Sequence, residues 1–251
     1  MRGRAWIVIL VVMLLQACAI SPKPTLSSAE KKEKDQRTAE AYVRLGLGYL
    51  KTGRSEEAVK PLQRAMELAP DDTEVLNAWA MMYAAQGEKA LAEDAFNNAI
   101  RKHPDDARLH NNFGAFLFSI GKTEQGCTEV QKAAADPMYA QRSQAFENLG
   151  RCALMQNDLT TARDHYKRAV QLSPLSAEAW YTLAQVNYKL SDNKEAATDY
   201  AFFLRLVKRG YARQTDASLD LGKKIAQASG DQSLLNELNN WTQPATPGAS
   251  E

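Results

Sequence analysis

The sequence repeats a pair of short amphipathic segments, and this repetition constrains its fold more than any other feature. Small and large apolar residues recur at the spacing of one buried helix face, at Tyr42, Leu45, Gly46 and Tyr49. A turn at residues 52–54 separates them from a second segment of the same spacing. Because a single helix pair cannot bury its own apolar face, pairs of this kind must stack on one another.

The pairs return with a period of 34 residues. Adding 34 to Gly46 reaches Ala80 and then Gly114, and the next match, Gly150, follows after 36 residues. Two residues are therefore inserted near positions 136–139, after which the period of 34 resumes.

Five copies in register resemble the tetratricopeptide repeat (TPR), with large residues at positions 4, 7, 11 and 24 and small residues at positions 8, 20 and 27. The small residues let the two helices of a pair approach closely, and the large ones fill the space beside them. The resemblance implies an all-α fold, a right-handed superhelical TPR solenoid of about six helix–turn–helix repeats whose first helices line a concave surface.

The chain divides into four predicted segments. These are a signal peptide at 1–17, a lipidated cysteine with a flexible tether at 18–38, the solenoid at 39–243 and a disordered tail at 244–251. The repeats fall near 39–72, 73–106, 107–142, 143–176 and 177–210, with a degenerate sixth repeat at 215–243. Prolines, serines and mixed charges without apolar periodicity favour a tether at 18–38, although its part from Ala29 could equally be a helical lead-in to the first repeat.

The beginning of the chain has the features of a bacterial lipoprotein leader. Its apolar run at residues 5–15 is too short to span a membrane. The run ends in Leu15-Gln16-Ala17-Cys18, which resembles the lipobox and implies that Cys18 is the acylated first residue of the mature protein. Ala19 stands where an aspartate would mark retention in the inner membrane. The resemblance therefore implies a lipid anchor on the periplasmic face of the outer membrane of a Gram-negative bacterium.

The charge balance and the histidines argue against several classes of function. The 31 basic and 30 acidic residues of the chain become 29 and 30 once Arg2 and Arg4 leave with the leader, so no basic stripe for a nucleic acid is evident. No histidine has a second ligand at metal-site spacing, at His103, His110 or His165. We expect no catalytic residue, no cofactor, no metal and no small-molecule substrate, and hence a protein that is not an enzyme.

Two cysteines lie within the predicted repeats. Cys127 falls on the second helix of the third repeat, and Cys152 falls on the first helix of the fourth. These two helices are neighbours in a stack of repeats, and the periplasm is an oxidising compartment. We predict a Cys127–Cys152 disulfide, with two buried free thiols as the alternative.

The inward-facing positions of the first helices predict a partner-binding groove. Its candidate residues are Asn77, Met81, Arg108, Asn111, Phe118, Glu147, Arg151, Tyr181 and Tyr188. Phe118, Tyr181 and Tyr188 are the candidate anchors, because aromatic residues contribute strongly to interface energies. The alternative is that these three side chains pack between repeats.

Four segments resemble the type IV pilus biogenesis and stability lipoproteins of the PilF/PilW family more closely than the TPR pattern demands. They are AYVRLGLGYL from Ala41, EEAVKPLQRAMEL from Glu56, LHNNFGAFLF from Leu109 and RSQAFENLG from Arg142. The resemblance covers the first four repeats and fades from Leu190 onward.

This family resemblance implies a pilotin, an outer-membrane lipoprotein that binds the pilus secretin subunit. Such a protein helps the secretin reach the outer membrane and multimerise, and so supports pili and twitching motility. An alternative from another class is a periplasmic TPR adaptor that recruits peptidoglycan enzymes or envelope-assembly factors. In either case the partner is a protein, and the acyl anchor supplies the location.

Overall fold

The computed structural model describes residues 27–241, so the predicted signal peptide, Cys18 and the predicted tail from residue 244 lie outside the described residues. Within this range the chain forms twelve α-helices. They are α1 (Ser28–Lys51), α2 (Ser55–Leu68), α3 (Thr73–Ala85), α4 (Lys89–Lys102), α5 (Ala107–Ser119), α6 (Thr123–Ala135), α7 (Arg142–Met155), α8 (Leu159–Leu172), α9 (Ala177–Lys189), α10 (Asn193–Lys208), α11 (Asp216–Ser229) and α12 (Gln232–Asn239).

Consecutive helices pack as six antiparallel pairs, and each pair packs on the next. Most connections between pairs have four residues, but the connection at 136–141 has six and the one at 209–215 has seven. The odd-numbered helices line the inner surface and the even-numbered helices form the outer one. The prediction of an all-α, right-handed TPR solenoid is confirmed.

Within each of the first five pairs, a tight turn joins the two helices through a residue of positive φ. Glycine fills this position in the first three pairs, whereas Asn157 (φ 58°) and Ser191 (φ 62°) fill it in the next two. Glycine adopts this conformation without steric cost, and asparagine tolerates it better than most residues. The turn between the two helices of a pair therefore recurs with the same backbone conformation in the first five repeats.

Small residues on the odd-numbered helices make room for large ones on the even-numbered helices. A Cβ added to Gly150 would lie 2.5 Å from the ring of Tyr166, and one added to Gly46 would lie 2.5 Å from Leu62. The same kind of contact joins α10 to α11 of the last pair, because the ring of Tyr200 packs on the backbone of Gly222. Close packing of this kind joins successive pairs into one continuous core.

The flexible tether predicted up to residue 38 is wrong for residues 28–38, which belong to α1. A capping box begins this helix, since Ser27 N–H donates to Glu30 Oε2 (2.7 Å) and Glu30 N–H donates to Ser27 Oγ (3.2 Å). The alternative of a helical lead-in is the one the structure adopts. Although α1 has 24 residues, no helix within residues 27–241 is both long and apolar enough to cross a membrane.

A disulfide joins Cys127 on α6 to Cys152 on α7, with the two Cα atoms 5.8 Å apart. The bond spans the connection at 136–141, which carries the two-residue insertion. It therefore links the third and fourth pairs at the joint where the regular spacing is interrupted.

Asp199 is a buried carboxyl group on α10, and its burial raises its pKa to about 6. It accepts a hydrogen bond from Asn187 Nδ2 at 2.7 Å, which opposes this shift only in part. The folded protein thus binds a proton between about pH 4 and pH 6 that the unfolded chain releases. Stability contributed by this group is present at acidic pH and is lost as the pH rises through about 6.

Replacing Asp199 with asparagine is therefore expected to raise the free energy of unfolding at pH 7 by about 2 kcal/mol. Urea denaturation at pH 7 and at pH 4 would measure this gain, which should vanish at pH 4, where the wild-type carboxyl is protonated. Asp94→Asn, at an exposed position on α4, is the matched control and should change stability by less than about 0.5 kcal/mol at either pH. Equal stability of Asp199→Asn and wild type at pH 7 would contradict this account.

Candidate functional site

An open concavity of about 710 Å³ lies on the inner surface of the first four helix pairs. Its walls come from α1, α3, α5 and α7 together with the connections at 103–106 and 136–141. The concavity is large enough for several side chains of a partner segment. We call it the concave groove.

Apolar side chains from two helices and one connection form part of the lining of the concave groove. Val43 and Leu47 come from α1, Met81 comes from α3, and Met138 and Tyr139 come from the connection at 136–141. Met138 is 86% exposed, so this longer connection presents an uncovered thioether at the edge of the groove. Burial raises the pKa of Tyr139 to about 12, so its phenol stays neutral at physiological pH.

The rim of the concave groove is acidic. Its carboxylates are Glu74, Asp105, Asp106 and Asp136. The guanidinium of Arg108, the lining cation, donates to Glu74 at 2.7 Å. Three lining carboxylates remain in excess of this pair, and the groove therefore attracts cationic groups.

Paired asparagines connect successive inner helices beside the groove. Asn112 Nδ2 donates to Asn77 Oδ1 at 3.0 Å, and Asn148 Nδ2 donates to Asn111 Oδ1 at 3.0 Å. Asn77 and Asn111 are each 4% exposed. Buried amides that satisfy one another specify the register between pairs, because a slipped register would leave them without partners.

Three of the predicted groove residues line the concave groove, namely Asn77, Met81 and Arg108. Asn111 does not reach it, because the next inner helix covers its amide through the bond to Asn148. Phe118 is partly buried and does not line the concave groove, so its role as an anchor stays a prediction. Its ring fills the space left by Gly126, where an added Cβ would lie 2.5 Å from the ring.

The other two predicted anchors, Tyr181 and Tyr188, are partly buried and pack near the end of the solenoid, away from the concave groove. The ring of Tyr181 lies 5.1 Å from that of Phe203, and Tyr188 packs against the core formed by the last two pairs. Both tyrosines thus make packing contacts within the solenoid, and their role as anchors stays a prediction.

Glu147 and Arg151 on α7 contact the next pair rather than the concave groove. Glu147 accepts a hydrogen bond from Ser176 Oγ at 2.9 Å, and burial raises the pKa of its carboxyl group. Arg151 lies 4.0 Å from Glu178 in a long ion pair. These two polar contacts connect the fourth and fifth pairs.

The sequence pattern did not identify the connection at 136–141, Asp105 or Asp106 as part of the groove. Asp106 does cap α5, accepting from Leu109 N–H at 3.0 Å, but it also lines the groove. The spacing of 36 residues was the available signal, since an insertion at the edge of an inner surface can form an additional wall.

The described histidines have structural partners. His110 is 4% exposed, and its Nδ1 lies 2.6 Å from Glu129 Oε2 while its Nε2 lies 2.7 Å from the carbonyl oxygen of Pro104. His103 Nε2 lies 2.8 Å from the carbonyl oxygen of Asp71. Within residues 27–241 no group of three His, Cys, Asp or Glu side chains could hold a metal ion.

Stacked helix pairs around a concave groove define a TPR scaffold, and the comparisons with known families agree. Models of the tetratricopeptide repeat match residues 39–72 and 77–137, and a TPR repeat model matches residues 154–191. The protein is thus a TPR protein built for contacts with other proteins.

Comparison with individual proteins narrows this class. The chain is 28% identical to the type IV pilus assembly protein PilF of Pseudomonas aeruginosa over 251 residues, which covers 100% of this chain and 97% of PilF. It is also 28% identical to an uncharacterized protein of Haemophilus influenzae over 148 residues, covering 59% of this chain and 83% of that protein.

Solved structures give the same result. P. aeruginosa PilF has a TM-score of 0.73 at 27% identity, with 82% of this chain and 90% of that chain covered. PilW, described as a widely conserved type IV pilus biogenesis factor, has a TM-score of 0.66 at 23% identity, with 80% and 90% covered, which supports the fold. The chain belongs to the PilF/PilW family of TPR proteins.

Proposed function

We propose that this protein is an outer-membrane lipoprotein scaffold for type IV pilus biogenesis. It binds the secretin subunit of the pilus machinery and promotes the localisation of that subunit in the outer membrane and its multimerisation. The observation that carries the proposal is the similarity to the type IV pilus assembly protein PilF, which extends over 100% of this chain. A scaffold of this kind performs no catalysis.

The concave groove is the surface that we assign to the secretin. The apolar side chains of its lining can bury those of a partner segment, and its excess of carboxylates can pair with basic groups. Apolar contacts supply affinity in such a groove, whereas the charged rim supplies steering and register.

The lipobox-like sequence ending at Cys18 would place the scaffold at the membrane. Since α1 begins at Ser28, ten steps of about 3.3 Å limit its distance from Cys18 to about 33 Å. The groove would therefore work close to the membrane surface. Several acyl chains on one cysteine would make this attachment stable.

Complementation of a deletion strain tests the proposed function. Wild-type protein should restore surface pili and twitching, whereas Cys18→Ala protein should accumulate in the periplasm and restore little of either. Immunoblots of periplasmic and membrane fractions would show where the variant accumulates and confirm that it is present. Normal pili and normal twitching in the deletion strain would contradict the proposal.

A charge-reversed groove tests which surface is used. Asp105→Lys together with Asp136→Lys is expected to weaken binding of purified secretin at least about tenfold, because the reversed rim repels basic groups. The matched control reverses Asp94 and Glu124, which are exposed on the outer helices α4 and α6. Equal loss of binding in both double variants would exclude a specific role of the groove.

A further inference from the structure

A second cleft lies on the outer surface, between α10 and α12, with a volume of about 690 Å³. The connection at 209–215 is the longest between pairs within the described residues, and α12 has only 8 residues. The last pair thus follows a longer link than the other pairs, and its outer helix is short. We call this cleft the convex furrow.

A three-layer stack of side chains forms one wall of the convex furrow. The ring of Phe202 lies 4.4 Å from that of Trp180, nearly parallel, and the guanidinium of Arg205 lies 3.9 Å from the centre of the Phe202 ring. Trp180 Nε1 donates to the carbonyl oxygen of Pro174 at 2.9 Å, which fixes the base of the stack. Phe202 is nevertheless 39% exposed.

Such a stack holds Arg205 in one orientation before any partner arrives. A guanidinium over an aromatic face keeps its N–H groups available at its edge. An exposed aromatic ring beside a preoriented arginine is the pairing that dominates the energy of many protein interfaces. The wall is therefore already ordered for a partner that carries a carboxylate next to an apolar group.

Some charged residues of the convex furrow form ion pairs and others do not. Within residues 27–241 neither Lys194 nor Arg205 forms an ion pair with a carboxylate, whereas Lys208 lies 2.6 Å from Glu237. Asp231 accepts from Leu234 N–H at 2.9 Å and caps α12. Both acidic residues that line the furrow, Asp231 and Glu237, thus have partners. Within the described residues, Lys194 and Arg205 have no carboxylate partner.

We propose that the convex furrow binds an acidic protein segment. A carboxylate of that segment pairs with Arg205 and Lys194, and an apolar side chain next to it packs against the exposed edge of the Phe202 ring. The concave groove is acidic and lies on the opposite surface, so the two sites select partners of opposite charge. The scaffold can then hold two protein segments at once.

Peptide binding to the full-length chain in a non-ionic detergent tests the proposal. The probes are a fluorescein-labelled peptide of six glutamates around one phenylalanine and its counterpart with six lysines. The glutamate peptide should bind wild type, and Arg205→Glu should weaken it at least about tenfold. Phe202→Ser should weaken it as well, and Arg205→Gln should have an intermediate effect.

Arg168→Glu on outer helix α8 is the matched control and should leave binding within about twofold of wild type. Equal binding of the glutamate peptide to wild type and Arg205→Glu would overturn the proposal. Displacement of the bound peptide by equimolar phosphatidylglycerol would identify an anionic lipid as the occupant and would overturn it too. No pilus component enters this assay, so its result is independent of the proposed function.

Discussion

Removal of the Cys127–Cys152 disulfide is expected to lower the free energy of unfolding by about 3 kcal/mol. The two cysteines are separated by 25 residues, and opening the loop that they close restores conformational freedom to the unfolded chain. Urea denaturation of wild type and of the double variant Cys127→Ala with Cys152→Ala would measure the difference.

Reduction provides the control for this prediction. Dithiothreitol should lower the unfolding midpoint of wild type to near that of the double variant and should leave the double variant unchanged. The loss concerns the joint between the third and fourth pairs, where the connection at 136–141 interrupts the regular stack. A reduced wild type as stable as the oxidised protein would contradict the expected role of the bond.

Replacing Gly114 with alanine is expected to lower the free energy of unfolding by about 1–3 kcal/mol. The new Cβ would lie 2.4 Å from Val130 Cγ2 and 2.8 Å from the carbonyl oxygen of Gly126. The second contact is with backbone, which cannot move aside by changing a rotamer. Helices α5 and α6 would have to separate, and the core of the third pair would open.

Gly48→Ala is the matched control, because the same methyl group would meet nothing within 4 Å on the surface of α1. This change should instead stabilise the protein by about 0.5–1 kcal/mol, since alanine favours the helix interior more than glycine. Thermal and urea denaturation of both variants would reveal opposite signs. A destabilised Gly48→Ala, or an unchanged Gly114→Ala, would refute the packing argument.

The period and the solenoid could be predicted because the same local signals occur in every copy. Each pair needs one apolar face, one close contact between its helices and one turn. The residues for all three recur at a regular spacing in the sequence. The close contact between Gly150 and Tyr166 follows directly from this pattern. Repetition turns a weak local signal into a strong one.

The first turns of α1 could not be predicted in this way. Residues 28–38 are largely exposed, so they carry no apolar stripe that periodicity could detect. The capping box at Ser27 and Glu30 and the continuous buried helix that follows hold them in place. These exposed first turns are stable because they continue the same helix into its later turns, which do have a buried face.

The groove was predicted only in part, because a position in a repeat faces the groove only where its neighbours are regular. The ring of Phe118 fills the space beside Gly126, and Tyr181 and Tyr188 pack in part against the core of the last two pairs. The wall at 136–141 depends on the conformation of a connection with no repeat pattern. Spacing could predict that insertion, but it could not predict where Met138 and Tyr139 would lie.

The most direct test of the proposed function is the assembly state of the secretin in the envelope of a deletion strain. Membranes would be fractionated and analysed for heat-stable secretin multimers, with complementation by wild type and by the variant with Asp105→Lys and Asp136→Lys. We predict that multimers are lost from the outer membrane without the protein, return with wild type and fail to return with the groove variant. Normal multimers in the outer membrane of the deletion strain would contradict the proposed role in secretin assembly.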